Sequence, residues 1–332
     1  MAYTAVDDPT AYFKVQLYTG NGAANHAITF DDTDTDMQPD FVWIKNRDAT
    51  DDHCLFDAIR GATKLIHTDS TAVEATDADT LDSFTSDGFQ VDADDKVNTN
   101  TEKYVAYCWK ANGTGSANTD GSINTAATSA NTTSGFSIMT YEGNQTASTL
   151  GHGLGVVPKF YFTKTLEAVG YIMVYHVGIT ADKALFLNLN NAPEDSANHF
   201  NDTEPTSSVI SLGSGADTND TGEDHVAYCW ANVQGFSKVG TYAGNGNADG
   251  TFVYTGFRPA FLMIKNDDAG ESWQILDNKR STFNPADDVI LPDLNNAEST
   301  VSGRATDFLS NGFKFRGTEG GTNTSSTYVY MA

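Results

Sequence analysis

The sequence predicts an all-β protein: three tandem β-sandwich-like repeats of about 97 residues, the size of one such unit. Three observations carry the prediction. The chain is rich in aromatics (11%) and in glycine (29 of 332 residues), yet only 39% hydrophobic. Period-2 alternation recurs along it while helical periodicity is nearly absent. Most tellingly, three sequence anchors return three times in the same order.

The first anchor reads Tyr18-Thr19-Gly20-Asn21-Gly22, then Tyr141-Glu142-Gly143-Asn144-Gln145, then Tyr242-Ala243-Gly244-Asn245-Gly246. Ahead of its first copy, Phe13, Val15 and Leu17 alternate with Lys14, Gln16 and Tyr18, the signature of a half-buried strand. Gly and Asn tolerate positive φ, so the Gly-Asn pair closes that strand in a tight turn. In the third repeat the Phe-to-Tyr spacing grows from five residues to six with Gly240 inside, which predicts a β-bulge. The second anchor is a proline followed by a strand ending in lysine: Pro39 to Lys45, Pro158 to Lys164 and Pro259 to Lys265. The third is Tyr104-Val105-Ala106-Tyr107-Cys108-Trp109, repeated as His225-Val226-Ala227-Tyr228-Cys229-Trp230 and, shortened, as Tyr328-Val329-Tyr330-Met331-Ala332. Between these two anchors the chain runs from 39 to 104, 158 to 225 and 259 to 328, separations of 65, 67 and 69 residues. Phe41 to Ile44 and Val105 to Trp109 are apolar on both faces, as central strands are. Asp57 to Lys64 offers one helical turn at most.

The anchors divide the chain into repeats at 1–111, 136–232 and 236–332. Between the first two lies a Gly/Ser/Thr/Asn-rich linker, 112–135. Its composition suits a flexible connection, while Ser122-Ile123-Asn124 could add a short edge strand.

Charge and composition exclude several functions. With 44 acidic against 19 basic residues the net charge is -25, which repels phosphates and argues against nucleic acid as a partner. No apolar run approaches the roughly 20 residues of a membrane helix, so no membrane insertion is expected. The first residues lack the basic and apolar regions of a signal peptide. Cys54, Cys108 and Cys229 are too few and too scattered for a disulfide framework or a zinc cluster.

Several phrases resemble a repeat family of bacteriophage tail-fibre-type structural proteins, frequent in marine tailed phages. They are Asp8-Pro9, Tyr12-Phe13, Tyr18-Thr19-Gly20-Asn21-Gly22, Arg60-Gly61-Ala62-Thr63-Lys64 and Ser86-Asp87-Gly88-Phe89. Asn118-Thr119-Asp120-Gly121-Ser122-Ile123, Gly135-Phe136-Ser137-Ile138 and Gly151-His152-Gly153-Leu154-Gly155 belong with them. The resemblance covers essentially the whole chain. It implies a non-enzymatic virion structural protein of a tailed phage, made in the host cytoplasm and displayed on the virion surface. A tail fibre or appendage component that presents a host-binding surface is the leading expectation; a capsid decoration or head-fibre protein, a carbohydrate-binding module and a depolymerase are the alternatives. The expected partners are other virion proteins, further copies of the chain in a homo-oligomer (a trimer), and a host surface glycan. The family supplies no catalytic residues and no cofactor.

The residues themselves offer few chemical constellations. Asp32, Asp34 and Asp36 match the start of a calcium loop, but Met37 and Trp43 stand where its glycine and glutamate belong. The EF-hand reading therefore fails, and a different calcium site within 31–40 stays open beside a solvated acidic loop. Gly151 to Gly155 lacks the Lys-Ser/Thr of a phosphate loop. His152, His176 and His225 lie in separate segments without metal-ligand spacing, so no metal is expected. Cys108 and Cys229 hold one slot in two repeats, and packing explains that better than nucleophilic chemistry. Tyr18, Asn21, Tyr141, Asn144, Tyr242 and Asn245 are the candidate ligand-binding residues. They sit beside the three turns and offer aromatic faces and amides to a sugar; alternatively, the tyrosines fill the sandwich end. Residues 1–111 carry 21 acids and 8 bases, 112–232 carry 12 and 3, and 233–332 carry 11 and 8. Self-repulsion is weakest in the last stretch, so assembly contacts are expected within 236–332.

Overall fold

The strands that read as apolar on both faces lie at the centre of each repeat. The computed structural model describes residues 4–30 and 35–332. The first repeat's main sheet runs, in order, Phe13–Thr19, Lys103–Trp109, Phe41–Asn46, Cys54–Asp57, Gly61–Ile66 and Ala75–Thr76, antiparallel throughout. A smaller sheet of His26–Thr29, Gly88–Val91 and Leu81–Thr85 packs over one face. The second repeat repeats this order with Phe136–Glu142, Asp224–Ala231, Pro158–Thr165 and Met173–His176, covered by Ser148–Gly151 and Val209–Leu212. The third has Val239–Ala243, Thr327–Met331, Phe261–Asn266 and Gln274–Asp277, covered by Phe252–Tyr254, Gly312–Phe315 and Thr306–Leu309. The strand order common to the three segments is what a triplicated sequence requires.

Two details differ from the sequence reading, and a third resolves an alternative that it left open. The ladder of Val239–Ala243 on Thr327–Met331 is unbroken, so the predicted bulge at Gly240 is absent. A tight turn bridging Val233 to Ser237 leaves Phe236 ahead of the strand and absorbs the extra residue. Asp57 to Lys64 is a hairpin rather than a helical turn, because the Asp57 carboxylate accepts the N–H groups of Ile59 and Arg60. Residues 112–135 are ordered: Ala127–Asn131 joins the second main sheet beside Phe136–Glu142, and Ile123 bridges to Leu150.

Though tandem in sequence, the repeats are not strung out in space. Along each central strand alternate residues enter different cores. Val42 and Ile44 fill the first sandwich, while Phe41 and Trp43 enter a cluster shared by all three repeats. Phe160 and Phe162 and then Phe261 and Met263 do the same. There the ring of Phe41 meets Phe136 at 5.8 Å and Tyr228 at 5.0 Å, and Trp109 meets Trp230 at 5.8 Å and Phe261 at 5.5 Å.

Around this core the repeats close cyclically, each last strand contacting the fourth main strand of a neighbour. At the seam of repeats one and three, Tyr107 donates to Asp277 (3.0 Å), which also pairs with Arg280. Glu298 takes Arg280 (2.9 Å) and, from the first repeat, Arg47 in a two-point contact at 2.7 and 3.0 Å. At the seam of two and one, Tyr228 donates to Asp57 (2.6 Å), and Arg60 bonds Asp57 (2.5 Å) and Glu74 (2.9 Å). Among the described residues the seam of three and two has no such network. There His176 meets the Tyr330 carbonyl at 3.1 Å and Trp273 donates to the Phe186 carbonyl at 2.7 Å.

A buried charge stripped of its partner is costly, so the networks should report on closure. Arg280→Ala leaves the buried Asp277 without its cation, while Glu298 keeps Arg47, and is expected to cost about 3–5 kcal/mol in urea denaturation. A loss below 1 kcal/mol, the value of a surface pair, would mean that the network does not hold the seam.

Candidate functional site

Each Gly-Asn turn is built the same way. The first-anchor tyrosine donates its hydroxyl to a carbonyl: Tyr18 to Val97 (2.7 Å), Tyr141 to Thr218 (2.6 Å) and Tyr242 to Thr322 (2.6 Å). Its ring stacks on the start of the third anchor, Tyr18 on Tyr104, Tyr141 on His225 and Tyr242 on Tyr328, with centroids 4.9–5.1 Å apart. His225 therefore replaces a tyrosine as a stacking partner.

The next residues wrap around a buried asparagine. Asn98 accepts from the N–H of Asn21 (2.9 Å) and donates to Asn21, Ala23 and Asp92. Asn219 holds Asn144 and Asn323 holds Asn245 in the same manner. Glycine is required just before each held residue. A Cβ on Gly20, Gly143 or Gly244 would lie 2.0–2.1 Å from a carbonyl oxygen of the facing chain. The result is three exposed polar loops, each pinned from within. Of the six candidate residues, Tyr141 and Tyr242 are buried and Tyr18 is half-buried, with every hydroxyl engaged. Asn21 and Asn245 are exposed, as is Asn144, and their side-chain oxygens accept bonds inside their own loops.

The sequence reading missed a different feature, the outer edge strand of the third repeat. Phe252 is 44% exposed and Tyr254 61%, on either side of buried Val253. Register places them where the first repeat has Ala27 and Thr29 and the second has Thr149 and Gly151. Only the third repeat carries this pair. Opposite Phe252 stands Lys314, held at 2.6 Å by Asp249 of the neighbouring Asn245 loop, and Arg316 pairs with Asp307 at 2.6 Å. Opposite Tyr254 stands Gly312, which adds no side chain to the face. Two aromatic faces bordered by cations and carboxylates form a platform. The alternation Phe252-Val253-Tyr254 was its only signal in the sequence.

Other reactive side chains are engaged in packing. Cys54, Cys108 and Cys229 are fully buried, and burial pushes their thiols up, away from the thiolate. Lys45 and Lys265 are buried and pushed down to about 8 by burial. Each caps its following turn, Lys45 through the carbonyls of Asn46 (2.6 Å) and Ala49 (3.0 Å). Lys265 does so through Asn266 (2.8 Å) and Ala269 (3.3 Å). Among the described residues no group of three or more His, Cys, Asp or Glu is placed to hold a metal ion. Asp31 to Asp34, the first four residues of the 31–40 loop read as a calcium candidate, lie outside the described residues.

His176 gives a test of this packing. Its Nε2 faces the Tyr330 carbonyl and its Nδ1 accepts the Gly178 N–H at 2.9 Å, so the ring sits neutral across the seam. Burial pushes its pKa down to about 4. The unfolded chain binds the proton near pH 6.5, so the ring's contribution is complete above that pH and is lost as pH falls toward 4. Asp69, pushed up to about 7 by burial and by Asp52, acts in the opposite sense and is lost as pH rises. Comparison with His176→Gln isolates the histidine. The stability difference between wild type and variant should shrink by about 3 kcal/mol from pH 7 to pH 4. A difference that stays flat would contradict a buried neutral ring.

The family model described as a domain of unknown function (DUF7483) matches residues 8–332. No curated protein matches the chain.

Proposed function

The chain belongs to the DUF7483 family, and we propose that it is a non-enzymatic structural protein of a tailed-phage virion. In this reading it is a tail-fibre or appendage component that presents a saccharide-binding surface to the host. The observation that carries the binding half is the Phe252–Tyr254 platform, with Lys314, Asp249 and Arg316 beside it. Aromatic rings with one open face and a polar border suit a sugar, whose C–H face is apolar and whose rim is hydroxyls. The virion half rests on the sequence resemblance and on the ring, which sets three rigid loops and one platform on a fixed frame.

The closed three-part ring also favours the second virion position, a capsid decoration, because one chain then supplies a threefold shape that otherwise takes three subunits. Antibody labelling of intact particles separates tail from head.

Two measurements test the proposal. On a glycan array the full chain is expected to bind host-type surface glycans, and the double variant Phe252→Ala/Tyr254→Ala to lose at least about tenfold in affinity while melting normally. Binding that survives the double change would move the site elsewhere. The ring also takes up inside one chain the threefold packing expected between chains. Light scattering should therefore give the mass of one chain, 35.6 kDa, and a stable trimer would count against this.

A further inference from the structure

The third seam differs from the others in a way that leaves room for a ligand. Register places Ile179 where the other repeats have Arg60 and Arg280, and His176 where they have Asp57 and Asp277. Pro193 stands where they have Glu74 and Glu298, and Met331 where they have Tyr107 and Tyr228. Every polar member of the network is thus replaced. The backbone bond beside it is lost too. Glu74 donates its N–H to the Leu166 carbonyl (2.8 Å) and Glu298 to that of Arg47 (2.9 Å), whereas a proline has no N–H.

The space opens as a cleft of about 420 Å³ between repeats two and three. Ile179, Thr180, Lys183 and Pro193 line one side and Asp267 and Asp268 the other. Asp267 stands in register with Arg47, so the wall that is cationic at one intact seam is anionic here. Its Oδ1 is buried without a hydrogen-bond partner. Burial and the neighbouring Asp268 carboxylate push its carboxyl up even though Lys265 and, across the cleft, Lys183 pull the other way, and a further cation would relieve the remaining penalty.

We propose that this cleft binds an organic cation, a guanidinium or alkylammonium group. Its charge pairs with Asp267 and Asp268 and its apolar stem rests on Ile179 and Pro193. The volume suits a small ligand or one long side chain, and the net charge of -25 concentrates cations around the molecule. A divalent metal fits less well: two carboxylates beside the Lys183 ammonium fall short of the six to eight oxygens that calcium takes.

Calorimetric titration of the full chain with L-argininamide tests this, with the blocked peptide Gly-Arg-Gly as a second arm. Saturable one-site binding is expected. Tighter binding of the free amide points to a small molecule, and tighter binding of the peptide to an arginine on a partner chain. Asp267→Asn should weaken either probe at least about tenfold, the worth of one charge-assisted contact. Ile179→Arg/Pro193→Glu, which refills the cleft with the side chains of the other seams, should abolish binding, and it carries the test if Asp267→Asn does not fold. No saturable binding of either probe, or binding that persists in the refilled variant, overturns the assignment.

Discussion

Phe41, Trp43, Tyr107 and Trp109 leave the opposite side of their sheet from Val42, Ile44, Ala106 and Cys108, and both sets are buried. A two-sheet sandwich covers only one of these sides. The other is a contiguous aromatic patch of the kind that a free domain of this size cannot leave in water. Three such patches can cover one another, and that is what the shared core achieves. The cyclic order of the seams and the ordering of residues 112–135 follow from it, because the second repeat must be delivered to a fixed place beside the first.

The seams are strongest where the chain helps least. Repeats two and three are joined by the turn from Val233 to Ser237, and their seam has lost its ion network. Repeats one and two are joined through 112–135 and keep Tyr228, Asp57, Arg60 and Glu74. Repeats one and three have no direct covalent link, and their seam holds the longest network, ending in the two-point Arg47–Glu298 pair. A short tether gives its two ends a high effective concentration, so side chains at a tethered seam can change with little loss of closure. The cleft beside Asp267 lies at the most tightly tethered seam.

The fold was legible in the sequence to the extent that local chemistry determined it. Anchors at near-equal spacing gave three copies, and alternation at Phe13 to Leu17 gave the first strand. Phe41 to Ile44 was read correctly as buried on both faces, but the run does not say what buries the second face. That depends on residues more than a hundred positions away, such as Phe136 and Tyr228. The tyrosines of the Gly-Asn turns drew attention because they recur, and recurrence across packed repeats marks shared architecture as readily as binding. Asn98, Asn219 and Asn323, which hold those turns, do not stand out because each lies within a run of polar residues that reads as an ordinary loop. Phe252 and Tyr254 escape a search for repeats because they break the pattern instead of joining it.

Identical subunits around an axis must share every feature, whereas three copies in one chain can diverge. Here they have: one lobe holds the aromatic pair and one seam holds the cleft. The ring is therefore univalent for whatever each feature recognises, despite its threefold frame. If the proposed role on a virion holds, avidity for a host surface has to come from the number of rings on the particle and the spacing between them, since no single ring can grip the same ligand twice.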